Sequence, residues 1–397
     1  LPHNPAAQTP IRAAESTENI PSSRRVRDVS RKIQYLDPSA APLTVLTKKA
    51  DKSSVYNPKF EWIEKDLPAR WDAVNNGGGY TAGATQIVVD HGNYFSIGDV
   101  IVNARTGERL RVTAVTVGSN TLDVTRSVGP TAAAAMNDND NLLILGNAYA
   151  EGANAGAEKT HIESYPYNYT QIVRTPFGVT GTQTNAENYT GPDKPRLRAE
   201  KAIEHMIDIE RTILFGERDI DTTSTNNPIR YTGGFLYYAT SNVKDFGGVM
   251  TEAEVEDWCE DLFHYTGGSD TKWVAAAPTP ISVLDQLGVA RLQLVPSNQA
   301  LGLSIKQFVT SHGNLMITKH RLLEDGYGGT AGEGWGGYML AVDPSKIGYR
   351  FMRNRDTKLR VDIQAPDLDG WKDEYLTEFG WVVQNPQVHG VGKNITG

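Results

Sequence analysis

"RLRAEKAIEHMIDIERTILFGERD", residues 196–219, is the stretch whose reading decides the fold. Ala199, Ala202, Ile203, Met206, Ile207, Ile213 and Leu214 recur at steps of three and four, the period of one helix face. Pro192 and Pro195 precede it, where a missing backbone N–H costs nothing. About six turns of helix are expected. Glu200, Glu204, His205 and Asp208 crowd into nine positions of it, so it reads either as a chemical site or as a rod. A carboxylate di-metal site needs Glu and His at i, i+3, and no such pair occurs here. The rod is the better reading.

Its acid stripe still needs an answer. Glu200, Glu204 and Asp208 fall at i, i+4 and i+8, and like charges so spaced cost ~0.2–0.5 kcal/mol per pair. Lys201 and Arg211 offset this only in part, so a cation from elsewhere is expected. Residues 1–50 hold eight Arg/Lys against four Asp/Glu, although the whole chain carries −8. That excess lies in "PSSRRVRDVSRK", where Arg24, Arg25, Arg27, Arg31 and Lys32 face only Asp28. A basic arm on an acidic body suits contact with acidic protein or nucleic acid. With six prolines and few periodic apolar positions, residues 1–50 read as extended.

Between arm and helix the pattern changes. "TQIVVD", "FSIGDVIVN", "ERLRVTAVTV", "NTLDVTRS" and "NLLILG" are short and β-branched, separated by "HGN", "RTG", "GSN" and "GPTAAAAMNDND". Five strands with such turns indicate a small all-β module over 80–148. The glycine-rich "NNGGGYTAG" (75–83) and "EGANAG" (151–156) read as joints that insert it into a longer excursion. "SYPYNYTQIVRTPFGVTGTQ" follows as an aromatic-rich ribbon. Beyond the long helix the pattern predicts a helix near 251–264, a strand and helix in "KWVAAAPTPISVLDQL", and helix within 281–308. "GNLMITKH", "GGYMLAVDP", "KIGYRFMR", "KLRVDIQA" and "FGWVVQNPQVHGV" read as strands. The class is α+β.

Motifs for catalysis fail on context. "GEGWGG" (332–337) fits G-x-G-x-x-G but precedes a strand, not a helix. "DND" (138–140) lacks the glycine and distal glutamate of a calcium loop. The histidines are scattered singly without zinc spacing. Cys259, the single cysteine, sits in the acidic pattern "TEAEVEDWCEDLFHY" and reads as a buried, inert thiol made in a reducing compartment. No catalytic residue, cofactor or metal is assigned, and no apolar run reaches the ~18–20 residues a membrane span needs.

The order of parts, with "SIGDVIVNARTGERLRVTAV" through "LLILGNAYAEGA" (96–154), "YNYTQIVRTPFGVTGTQ" (168–183), "IERTILFGER" (209–218) and "KIGYRFMRNRDTKLRVDIQAPDLDGWKDEYLTEFGWVVQNP", resembles the tailed-bacteriophage major capsid proteins of the Hong Kong 97 fold. It resembles in particular the branch that carries a β module in the extended loop. The resemblance spans about residues 30–395 and rests on order and phrasing, not on one motif. It implies an N-terminal arm over 1–48, an extended loop over 49–170 with the 80–148 insert, and a peripheral domain over 171–218 with the spine helix. It further implies an axial domain over 219–346, peripheral strands over 347–380, and a final strand over 381–397 returning to the axial domain.

The implied function is a structural shell protein, not an enzyme. It would build the icosahedral or prolate head of a virion from pentamers and hexamers of itself, assembled in the host cytoplasm. Scaffold, decoration and portal proteins are its implied partners. It would enclose double-stranded DNA without sequence-specific binding, and no membrane is involved. An encapsulin-like compartment protein shares the fold, but the insert and arm favour a phage head. A carbohydrate-binding or adhesive β protein would leave the α+β body unexplained.

Overall fold

The computed structural model describes residues 41–396 apart from 68, 155, 157, 159, 161, 188–190, 224–226, 288–304 and 324–333. Four helices of eight or more residues occur among them: α1 Pro42–Ala50, α2 Asp193–Phe215, α3 Glu252–Phe263 and α4 Pro278–Leu287. The described residues divide into two compact units, one over Glu61–Pro166 and one formed by 41–60 and by those from Tyr167 onward.

In the second of these, a sheet runs in the order Lys52–Val55, Ile347–Met352, Gly370–Val383, Gln171–Thr180, with Lys358–Arg360 also on Gly370–Val383. The strand Gly370–Val383 is its backbone, antiparallel to Gln171–Thr180 from Gln171↔Phe379 to Thr180↔Gly370. A six-stranded mixed sheet runs in the order Val243–Val249, Gly390–Thr396, Met339–Val342, Thr271–Ala276, Asn314–Lys319, Ile305–Val309. One apolar core joins that sheet to α3 and α4: Val255, Trp258, Cys259 and Leu262 pack with Val283, Leu284, Val274, Ile317 and Ile395. The start of α3 is written in the sequence, because Thr251 and Glu254 form a reciprocal capping box. Burial pushes the Cys259 thiol up to about 12, so it is inert at neutral pH.

Two secondary-structure expectations in this unit need correction. Residues 42–50, read as extended, form α1, whose Leu43, Thr44 and Thr47 are buried. Within 281–308, helix ends at Leu287 and Ile305–Val309 is a strand paired with Asn314–Lys319; 288–304 lie outside the described residues. Phe308 sits opposite Leu315 in that ladder, a cross-strand pair that outweighs helix propensity.

The C-terminus of α2 is fixed by two glycines. Gly234 N–H donates to Gly216 O at 2.7 Å. A Cβ on Gly234 would lie 2.6 Å from Ile213 O and 2.7 Å from Thr212 O, both backbone atoms. Gly234→Ala therefore has to push the chain away from the helix end, and a loss of about 1–3 kcal/mol is expected in urea denaturation. A loss under about 0.5 kcal/mol, the level of a bland surface change, would show that the close approach is unimportant.

The unit Glu61–Pro166 is built on a six-stranded sheet, antiparallel throughout: Trp71–Ala73, Asn141–Asn147, Asp99–Asn103, Arg109–Thr116, Thr121–Thr125, Gln86–Val88. Five of these strands lie where the turn chemistry puts them. The sixth, Trp71–Ala73, precedes the glycine run read as a joint. That run makes a turn inside the unit, where Gly79 N–H bonds Asn76 O at 2.7 Å with φ +64, and Tyr80 bridges Met136. Ile87, Ile101, Leu110, Val112, Leu122, Val124, Leu142 and Ile144 fill the inner face. Polar ties hold the loops. Glu108, fully buried, takes Arg126 Nε at 2.7 Å and Nη2 at 2.6 Å, and receives Ala134 N–H at 3.0 Å. Asp140 takes Arg105 Nε at 2.7 Å, and that guanidinium holds its carboxyl down to about 2.

Candidate functional site

The long helix was the candidate, and α2 places each of its residues. The acid stripe is answered on the helix itself. Glu200 pairs with Arg196 at 3.0 Å, Glu204 with Lys201 at 2.6 Å, and Asp208 with Arg211 at 3.5 Å. Arg196 also reaches Asp193 at 2.8 Å. These are i, i+3 and i, i+4 contacts of ~0.2–0.5 kcal/mol each, enough to offset the like-charge cost. Arg24, Arg25, Arg27, Arg31 and Lys32 lie outside the described residues. Among the described residues no group of His, Cys, Asp or Glu is arranged to hold a metal ion.

The buried face of α2 is more polar than its apolar periodicity suggests. Ala199 is exposed and Ala202, Ile203, Met206 and Ile207 are half-buried, whereas His205, Ile209, Glu210, Ile213 and Leu214 are buried. The reason lies in the strands Gln171–Thr180 and Gly370–Val383, which meet the helix with hydroxyls and carboxylates. His205 sits between Thr175 Oγ1 at 2.8 Å and Thr377 Oγ1 at 2.7 Å. Arg198 pairs with the buried Asp373 at 2.6 Å. Burial, and then the charge of Lys48, pushes the His205 imidazole down to about 4, so it is neutral and structural at pH 7.

Sequence reasoning passed over a buried node at the other end of the same face. Glu210 Oε1 accepts from Leu43 N–H at 2.8 Å, and Oε2 from Thr44 N–H at 2.6 Å and from the Thr44 hydroxyl. These are the orphan donors of the first turn of α1, whose own N-cap position, Ala41, supplies no side-chain bond. His320 Nε2 lies 2.8 Å from Glu210 Oε1, and both side chains are fully buried. The only trace in the sequence is a carboxylate among Met206, Ile209, Ile213 and Leu214.

Around α2, no nucleophile, base and open cleft come together among the described residues. The arrangement is that of a frame: a rod clamped to a sheet, with charge on its free side. The family described as SU10 major capsid protein matches residues 9–396. The chain belongs to that family. It is a major capsid protein of a phage, with the Hong Kong 97 fold. It is 24% identical over 290 residues to the major capsid protein of Pseudomonas phage PaMx41, covering 70% of this chain and 67% of that one. The capsid protein of a native GTA particle superimposes with a TM-score of 0.53 at 9% identity, over 97% of this chain and 100% of that one. The SrpI encapsulin of Synechococcus elongatus matches at a TM-score of 0.42 and 13% identity, over 59% of this chain and 77% of that one. As a capsid protein it works as part of the virion and in many copies of itself.

Proposed function

We propose that this capsid protein closes into the head shell of a tailed phage around its double-stranded DNA, as pentamers and hexamers assembled in the host cytoplasm. The family match over 9–396 carries this reading. Residues 1–48 act as an arm, apart from the part folded into α1, and 49–170 act as the extended loop. Residues 171–218 and 347–380 form the peripheral domain, and 219–346 with 381–397 the axial domain. Scaffold, decoration and portal proteins are its further partners. The protein has no catalytic role. Its net charge of −8 suits a wall that does not trap the genome.

Within that shell the basic arm lies along the free side of α2, from its own or a neighbouring subunit. Arg24, Arg25, Arg27, Arg31 and Lys32 would add to, not replace, the in-helix partners of Glu200, Glu204 and Asp208. Each exposed pair is worth only ~0–1 kcal/mol, but the contact repeats in every subunit. Changing Glu200, Glu204 and Asp208 to Lys is expected to lower the fraction of protein sedimenting as shells. Adding Glu at Arg24, Arg25 and Arg27 should restore part of it. Purely additive losses would show that the two features do not meet. Salt-sensitive DNA binding by the arm, with shell yield untouched by the helix change, would place the arm on the genome instead.

A further inference from the structure

The antiparallel sheet of Glu61–Pro166 has one face on its core, and the other face departs from the polar surface such sheets present to water. Register puts Trp71, Leu143, Val102 and Arg109 in one row across four strands. Beside it, Val100 pairs with Gly146 but Ile101 pairs with Ile144, so Leu145 is an extra, bulged residue. Bulges re-aim side chains, and this one leaves Leu145 51% exposed next to Trp71, which is 53% exposed. Arg111, opposite Val100, closes the second row. Neither arginine makes an ion pair among the described residues, and Arg111 Nε has no hydrogen-bond partner. A solvated face has no use for a tryptophan and a bulged leucine; Trp and Arg around an apolar centre are the residue types that dominate binding energy at protein interfaces.

We propose that this apolar, arginine-edged face is the seat of a second copy of this chain. Charge complementarity chooses the occupant. Residues 61–166 hold thirteen Asp/Glu against seven Lys/Arg, so Arg109 and Arg111 are cations on an acidic unit of an acidic chain. Every further copy brings carboxylates; Glu260 and Asp261 on the outer side of α3 make no ion pair among the described residues. DNA would match the arginines but not the apolar rows, since phosphate recognition gains nothing from Trp71 or Leu145. The contact adds a specific surface to the shell reading and rests on it.

The test uses wild-type protein. Hydroxyl-radical footprinting is read at Trp71 by mass spectrometry in free subunits and in shells emptied of DNA and stripped of other proteins. Oxidation several-fold slower in the stripped shells is expected. Equal oxidation in the two states overturns the proposal, as does protection that disappears once DNA or another protein is removed. In parallel, Arg109→Glu/Arg111→Glu and Trp71→Ser/Leu145→Ser subunits, checked for wild-type circular dichroism, should give at least tenfold fewer shells. Wild-type shell yield from both folded variants also overturns it. Failure of the unaltered protein to form any shell would instead count against the shell reading itself.

Discussion

Glu210→Ala is expected to destabilise the subunit by about 3–5 kcal/mol, the cost of removing one partner from a buried, charged hydrogen-bond set. The loss is large because Glu210 serves three elements at once. It caps the first turn of α1 through Leu43 and Thr44, it belongs to α2, and it meets His320 beyond the strand Asn314–Lys319. Truncation leaves two backbone donors, a hydroxyl and an imidazole without the carboxylate they share. Urea denaturation of free subunits measures the effect. Because Leu43 and Thr44 are themselves fully buried, α1 should detach before the rest unfolds, and proteolysis should cut near 41–50 in the variant alone. A loss below about 1 kcal/mol, ordinary for a single mutation, would mean that the node is solvated.

Acid should weaken the same compact unit through two buried histidines. His389 is fully buried; its Nδ1 accepts from Asp343 N–H at 3.1 Å and its Nε2–H donates to Gln384 O at 3.2 Å. A second proton would set one N–H against another. Burial accordingly pushes His389 down to about 4, as it does His205, from the ordinary 6.5. Between those values the unfolded chain takes up protons that the folded chain refuses. Stability from these groups is complete above pH 6.5 and drains as pH falls toward 4, by up to about 1.4 kcal/mol per pH unit for each histidine. Denaturation midpoints of free subunits across pH 4–7 should show the slope, and His205→Gln should remove about half of it. A flat profile would mean that both rings are hydrated.

Elements whose ends are fixed locally were legible in the sequence. The capping box at Thr251 and Glu254 starts α3 where the pattern puts it. Within 61–166 the short turns define five strands, as at Asn103, whose side chain receives Arg105 N–H at 2.9 Å and Thr106 N–H at 3.1 Å. What stayed hidden depends on partners distant in sequence. The helix α1 lacks a local cap because its cap is Glu210, 166 residues beyond Thr44. The inner face of α2 could not be read from apolar spacing alone, because His205 and Glu210 are buried there against Thr175, Thr377 and Thr44. Trp71–Ala73 is only three residues long, and its place in the sheet is set by Leu143 and its neighbours, far along the chain. Identity was carried by the order of the parts and not by any reactive group.

Cryo-electron microscopy of the particles that this protein forms on expression in bacteria tests the central claim most directly. The account predicts closed shells whose walls are five- and six-membered rings of this chain, with α2 and the strand Gly370–Val383 traceable in every subunit. Discrete 43.5 kDa monomers with no assembled species, or particles in which this chain is not the repeating wall unit, would contradict it.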